Sequence, residues 1–218
     1  MTTQITAREL FQTAYESRYT WNEKFPGYSA DVKLMQGAEV CTGKICINRD
    51  LTVEVTEVPN EEVKAGIYTQ LRDLVNHRQP TSFEKSHGQY EFSLGQTDDD
   101  GGVEVFVSGD STSSTYKILN NEIVCVTRVM GKTVFVIDTH QSLDTGFGYV
   151  ATHYSAIFRD SKTDEIKSVL KFEDTYEKIG DYYLMTKQVI TEDIAGEEHA
   201  TEFSYPNIKL MEAASVKS

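Results

Sequence analysis

Between residues 117 and 210 the chain repeats one unit, a strand-length run rich in Val, Ile, Thr, Tyr and Phe, then a short break bearing Gly, Asn or Asp. The breaks fall at Asn120-Asn121, Met130-Gly131, 144–148, 160–164, Gly180-Asp181 and Ala195-Gly196. Breaks of this chemistry at this period close hairpins between neighbouring strands, so the segment predicts a long antiparallel meander. No catalytic motif in it names a reaction.

The helices come earlier. Thr6-Ala7-Arg8-Glu9 is a capping box, in which the Thr6 hydroxyl takes the amide three residues on and Glu9 reaches back. Leu10, Phe11, Ala14, Tyr15 and Tyr19 then fall near one face, predicting a helix that ends near Tyr19 and docks against the sheet. Phe25-Pro26-Gly27 is a turn that launches a strand over 28–35. A strand pair follows at 40–49, bent or bulged at Gly43, and at 51–58. Asn60 caps a second helix, with Glu61 and Glu62 complementing its dipole. Its apolar stripe is Val63, Ile67, Leu71, Leu74 and Arg78, and it stops before Pro80. The expected fold is α+β: a large curved antiparallel meander sheet, an incomplete barrel, wrapped around the N-terminal helix and one inserted helix.

At 218 residues this is one domain, because no linker is visible: N-terminal helix and turn at 1–26, first strands at 27–58, helix at 60–79, meander at 81–210 and a tail at 211–218. Twelve Tyr and 10 Phe against 5 Met make flat rings the main filling of the core. The net charge is −13 with Lys and Arg scattered, a surface that repels phosphate backbones and anionic lipid, so nucleic acid is not an expected partner. Residues 1–10 lack the basic and apolar stretches of a secretory signal, and no run of about 18 apolar residues exists to span a bilayer. Cys41, Cys46 and Cys125 are an odd number without scaffold spacing, which fits a reducing compartment; the expected location is the cytoplasm. A mature exported protein would give the same picture.

Two constellations are candidates for chemistry. If the break at 145–148 closes a tight hairpin, Phe135 faces Phe158, Ile137 faces Ala156, Thr139 faces Tyr154 and Leu143 faces Val150, a coherent apolar face. The other face pairs Val136 with Ile157, Asp138 with Ser155 and His140 with His153. Opposed Cβ atoms lie about 4.5–5.5 Å apart, so Asp138, His140 and His153 would be placed to hold Zn or non-haem iron; a solvated sheet face is the ordinary alternative. Tyr15, Tyr19, Trp21, Phe25 and Tyr28 form an aromatic cluster that either lines one wall of an apolar ligand cavity or seals the end of the sheet.

Other segments carry less. Asp98-Asp99-Asp100-Gly101-Gly102, in an acidic hairpin loop at 96–102, fails the calcium-loop pattern, since its twelfth position is Gly109. The Ser-rich stretch 108–113 lacks the second glycine of a nucleophile elbow. Cys41 and Cys46, five apart on one strand, point to opposite faces. His77 and His87 are expected at the surface.

Tyr15-Glu16-Ser17-Arg18-Tyr19-Thr20-Trp21 followed by Phe25-Pro26-Gly27-Tyr28-Ser29-Ala30-Asp31-Val32 resembles the N-terminal signature of an uncharacterised family of about this length found in cyanobacteria and plastid lineages. That resemblance covers nearly the whole chain and implies no activity. The order helix, strand, Gly43-Lys44-Ile45-Cys46-Ile47-Asn48-Arg49, strand, helix and meander is similar to lipoprotein carriers of the LolA type, although Asp50 stands where the carriers have proline. The likeness implies an incomplete barrel with helices as a lid over an apolar cavity. The expected function is therefore a non-enzymatic binder or carrier of an apolar small molecule (lipid, isoprenoid or pigment), with no cofactor. A lipocalin-like bilin lyase using Asp138 and a histidine, or a protein-interaction module, are the alternatives.

Overall fold

Thr6 and Glu9 start the first helix through the reciprocal bonds their spacing dictates: Thr6 Oγ1 accepts from the Glu9 amide at 3.2 Å, and the Thr6 amide donates to Glu9 Oε2 at 2.9 Å. The Thr6 amide and then the Thr6 hydroxyl, both donating to Glu9 Oε2, hold the Glu9 carboxyl below its ordinary pKa. The computed structural model describes residues 5–109, 113–194 and 196–212. Its elements are α1 (Ala7–Glu16), β1 (Tyr28–Gln36), β2 (Glu39–Ile47), β3 (Val53–Thr56), α2 (Glu61–Arg78), α3 (Phe83–His87), β4 (Glu91–Thr97), β5 (Val103–Ser108) and β6 (Ser113–Leu119). They continue as β7 (Glu122–Met130), β8 (Thr133–Asp144), β9 (Tyr149–Asp160), β10 (Ile166–Ile179), β11 (Tyr182–Ile194), β12 (Glu197–Ser204) and β13 (Lys209–Leu210). Strands hydrogen-bond in the order β3-β2-β1-β12-β11-β10-β9-β8-β7-β6-β5-β4, with β13 on β1. The α+β meander sheet, not closed into a barrel, is thus as the sequence predicts.

Contacts cluster into two compact units; one runs to Tyr19 and resumes over Thr81–Phe172, the other takes in Thr20–Pro80 and the chain from Glu173. In the first, β4 to β9 form consecutive antiparallel hairpins. The helix α1 lies on them with Phe11, Ala14 and Tyr15 buried. Phe11 is fully buried, its ring centre 4.7 Å from Tyr116, 5.4 Å from Phe92 and 5.0 Å from His87. The chain leaving α1 is clamped to the start of β9: the Tyr149 amide donates to Ser17 O at 2.9 Å and the Tyr19 amide to Tyr149 O at 2.8 Å. Gly148 makes this approach feasible, because at its φ of 128° an added Cβ would lie 2.7 Å from Ser17 O. The Tyr149 hydroxyl accepts from the Ile123 amide and donates to Ala14 O, and burial pushes its pKa up to about 12.

In the second unit, β1, β2, β3, β11 and β12 form the sheet, and α2 packs on β3. Asn60 Oδ1 caps α2 by accepting from the Glu62 and Val63 amides, and Ile67, Leu71, Leu74 and Val75 are its buried face. Trp21 stacks on Phe25 at 4.2 Å, and Phe25 meets Tyr182 edge-on at 5.1 Å. Among the described residues no helix is long and apolar enough to cross a membrane.

Three expectations need correction. The first helix stops at Glu16, capped by Ser17, because the chain then turns to pair with Tyr149. Pairing of β1 with β2 runs unbroken through Val32 and Gly43, so there is no bulge there. Instead the missing Cβ admits Val58, whose Cγ2 would sit 2.3 Å from it. The span read as all meander from 81 begins with α3, capped by Ser82 Oγ accepting from the Lys85 amide. Asp110, Ser111 and Thr112 of the Ser-rich stretch, Ala195 of the last break, residues 1–4 of the region read for a signal and residues 213–218 of the tail lie outside the described residues.

Replacing Phe11 by Ala should lower the unfolding free energy by about 3–5 kcal/mol, because five rings that meet it lose their common partner. Urea denaturation followed by circular dichroism reads this directly.

Candidate functional site

In the first unit the end of α3 and the strands β5 to β7 enclose a cavity of about 280 Å³. Ser86 and His87 reach it from the last turn of α3 and Tyr90 from the link into β4. Val107, Ser114, Tyr116 and Arg128 come from the sheet. Their convergence follows from register: Val107 lies opposite Ser114, and Ser114 opposite Arg128. Directly opposed residues point to the same side, so these three share one face.

Arg128 is the cavity's cation. Its Nε donates to Ser114 Oγ at 2.9 Å and its Nη2 to Tyr116 OH at 2.8 Å, while Cζ stands 5.9 Å from the Phe135 ring centre. No carboxylate pairs with it among the described residues. His87 is half-buried, stacked on Phe83 and edge-on to Tyr15 and Tyr90. Its Nδ1 is buried without a hydrogen-bond partner among the described residues. Burial first, then the nearby Arg18 and Arg128 cations, hold its pKa down to about 4, so the imidazole is neutral at pH 7. Arg18 lies with Cζ 3.6 Å from the Tyr15 ring centre and Nε donating to Tyr15 O.

The same sheet face continues beyond the cavity. Tyr116 is opposite Val126, Val126 opposite Ile137 and Ile137 opposite Ala156. One pair along, Arg128 is opposite Phe135 and Phe135 opposite Phe158. Since Tyr116 and Val126 pack in the cluster under α1, the face carrying Phe135, Ile137, Tyr154 and Phe158 is the helix-side face. Phe135, Ile137, Tyr154, Phe158 and Phe172 are only half-buried, with Tyr154 stacked on Phe172 at 4.6 Å.

The pairs predicted from the hairpin hold from Phe135–Phe158 to Thr139–Tyr154, and again at Leu143–Val150. Between them the expected His140–His153 opposition is broken: His153 faces Gln141, and the pairing returns at Ser142–Ala151. His140 and Thr152 are the extra residues of two compensating bulges, and the Thr152 hydroxyl donates to Gln141 O at 3.3 Å. His140 bonds Ser155 Oγ at 3.2 Å, His153 contacts Thr152 Oγ1 at 3.3 Å, and Asp138 is exposed on the outer face. Among the described residues no group of three His, Cys, Asp or Glu side chains is disposed to hold a metal.

Tyr15, Tyr19, Trp21, Phe25 and Tyr28 are all buried. Trp21, Phe25 and Tyr28 pack together in the second unit, none of the five lines the cavity described here, and Tyr15 stands behind its wall, its hydroxyl accepting from Ser86 Oγ at 2.7 Å. His87, expected at the surface, is a wall of the cavity, whereas His77 is exposed. The spacing of Phe83 and His87, one helical turn apart after Ser82, is the signal that could have revealed α3. Cys41 and Cys46 do lie on an unbroken strand, and Asp98 closes its solvated turn by accepting from the Asp100 and Gly102 amides.

The fold and site define an open antiparallel meander with a partly uncovered apolar face and a small cationic cavity. The chain belongs to the family described as a protein of unknown function, DUF3386, whose family model matches residues 2–211. No curated protein matches the chain. Among solved structures it is similar to a putative outer membrane lipoprotein-sorting protein domain from Vibrio parahaemolyticus, at 12% identity over 94% of this chain and 92% of that one, with a TM-score of 0.35. A DUF1329 family protein from Desulfovibrio piger matches at 11% identity over 95% and 94% of the two chains, with a TM-score of 0.29. The MucA/MucB complex of Pseudomonas aeruginosa matches at 10% identity over 95% and 99%, with a TM-score of 0.25.

The depressed pKa of His87 sets a pH dependence. The unfolded imidazole titrates near 6.5 and the folded one at about 4, so between these values the unfolded chain binds the extra proton. The contribution to stability is full above about pH 6.5 and is lost progressively as pH falls toward 4. The Tm of His87→Phe should therefore drop less than that of the wild type between about pH 7 and about pH 4.5; equal drops would show that the ring is not held neutral.

Proposed function

We propose that this protein is a non-enzymatic binder or carrier of an apolar or amphipathic small molecule, of the size of a lipid, isoprenoid or pigment. The observation that carries the reading is the helix-side face of β7 to β10. It joins the buried cluster under α1 through Val126, yet leaves the rings of Phe135, Tyr154, Phe158 and Phe172 partly exposed. Leaving a large side chain exposed forfeits about 1.5–3 kcal/mol relative to full burial, and a ligand laid on this face would recover part of that. The cavity beside it supplies the few convergent polar groups that orient a ligand in an otherwise apolar site. Asp138, the group a bilin lyase would need, is on the outer face and exposed, which favours the binder over the lyase. A cytoplasmic location is in keeping with the three free thiols.

Native mass spectrometry and solvent extraction of the purified protein, with uptake of a hydrophobic dye, test the reading. Ile137→Lys on the helix-side face should abolish dye uptake, whereas Val136→Lys on the opposite face should leave it within twofold, with circular dichroism confirming that both variants fold. No co-purified ligand and no dye uptake by the wild type would overturn it.

A further inference from the structure

The cavity is lined by one cation, Arg128, and by no carboxylate among the described residues, in a chain of net charge −13. A guanidinium carries five N–H donors, and Arg128 uses Nε on Ser114 and one Nη2 hydrogen on Tyr116. The other three donors have no partner among the described residues, and these two bonds fix the guanidinium plane, so that edge is preorganised for a planar acceptor. Arg128 is half-buried with no carboxylate partner among the described residues, and a partly buried cation loses solvation that a bound anion would offset. Arg18 adds a second cation near His87, engaged with the Tyr15 ring and carbonyl and with no carboxylate partner among the described residues.

Volume and register specify the rest of the ligand. At about 280 Å³ the cavity lies just below the ~300–1,000 Å³ of pockets that enclose a whole drug-sized molecule, so it takes a headgroup rather than a long chain. The residue opposite Arg128 is Phe135, followed across the sheet by Phe158, with Ile137 and Tyr154 further along the same face. Strands spaced about 4.8 Å apart make this apolar path roughly 14 Å wide from β7 to β10. We propose that the cavity is the headgroup site for a long-chain carboxylate, with the carboxylate on the preorganised edge of Arg128 and the alkyl chain along Phe135, Phe158, Ile137 and Tyr154. Of the two arginines only Arg128 lines the cavity, beside a neutral His87, so the lining offers one positive charge, which a monoanion compensates and a dianionic phosphate would exceed. The inference rests on the apolar-ligand reading and adds to it the chemistry of the head.

The test titrates palmitate, 1-hexadecanol and acetate against the full chain at about pH 8, below the palmitate micelle concentration, reading displacement of a bound hydrophobic dye. Wild-type protein should bind palmitate on the order of tenfold more tightly than hexadecanol and should not respond to acetate. Arg128→Gln should remove that preference by weakening palmitate alone, and Arg128→Lys should restore part of it. Equal wild-type affinity for palmitate and hexadecanol overturns the headgroup site and leaves the apolar-ligand reading standing. A response to acetate as strong as to palmitate overturns the long-chain requirement. Failure of the dye, palmitate and hexadecanol to bind overturns both readings. The wild-type comparison needs no variant, so a folding defect in Arg128→Gln does not blunt the test.

Discussion

The first unit depends on the insertion of the Phe11 ring between α1 and the sheet. That one fully buried side chain meets Tyr15 and Phe83 from the helices, Phe92 and Tyr116 from the strands, and His87 from the cavity wall. Its position determines which side of the meander is the inner one, because opposed residues on neighbouring strands share a side. Once Tyr116 is under α1, Val126, Ile137 and Ala156 follow, and Phe135 and Phe158 with them. Tyr149 then locks the arrangement, tying the chain after α1 to β9 through its backbone and to Ala14 and Ile123 through its hydroxyl.

The electrostatics of the cavity follow from the same packing. Ring contacts on several sides take His87 out of water and the two arginines oppose its protonation, so it contributes shape and no charge. The cationic character is therefore concentrated in the guanidinium groups, and that of Arg128 is aimed by Ser114 and Tyr116, with no carboxylate to cancel it among the described residues. Surface ion pairs elsewhere, such as Arg8 with Glu84 and Lys187 with Glu202, neutralise their cations. Those exposed pairs contribute little to stability and mainly set the surface potential.

Much of the fold was legible because it is encoded locally. The capping box at Thr6, the cap at Asn60 and the hairpin at 145–148 each depend on a few adjacent residues, and each formed as its chemistry requires. The paired bulges at His140 and Thr152 were not legible, since they preserve the register on both sides and leave the apolar alternation unchanged. The cavity was hidden for a different reason. His87, Tyr90, Ser114 and Arg128 come from separate elements, and none has a local pattern that marks it as a neighbour of the others.

The aromatic segment at the N-terminus drew attention because rings are the usual lining of ligand sites, yet its rings are consumed in packing. Trp21, Phe25 and Tyr28 are at most 2% exposed and contact one another, which leaves no surface for a ligand to occupy. The rings of β8 to β10 differ in this respect. Phe135, Tyr154, Phe158 and Phe172 retain partial exposure on the face that carries α1, with the Arg128 guanidinium, which has no carboxylate partner among the described residues, at its margin. A partly exposed apolar surface, bordered by a guanidinium that has no carboxylate partner among the described residues, is the ground on which the proposed ligand reading rests. Burial and pairing, more than aromatic content, separate the residues that hold this protein together from those available to hold a ligand.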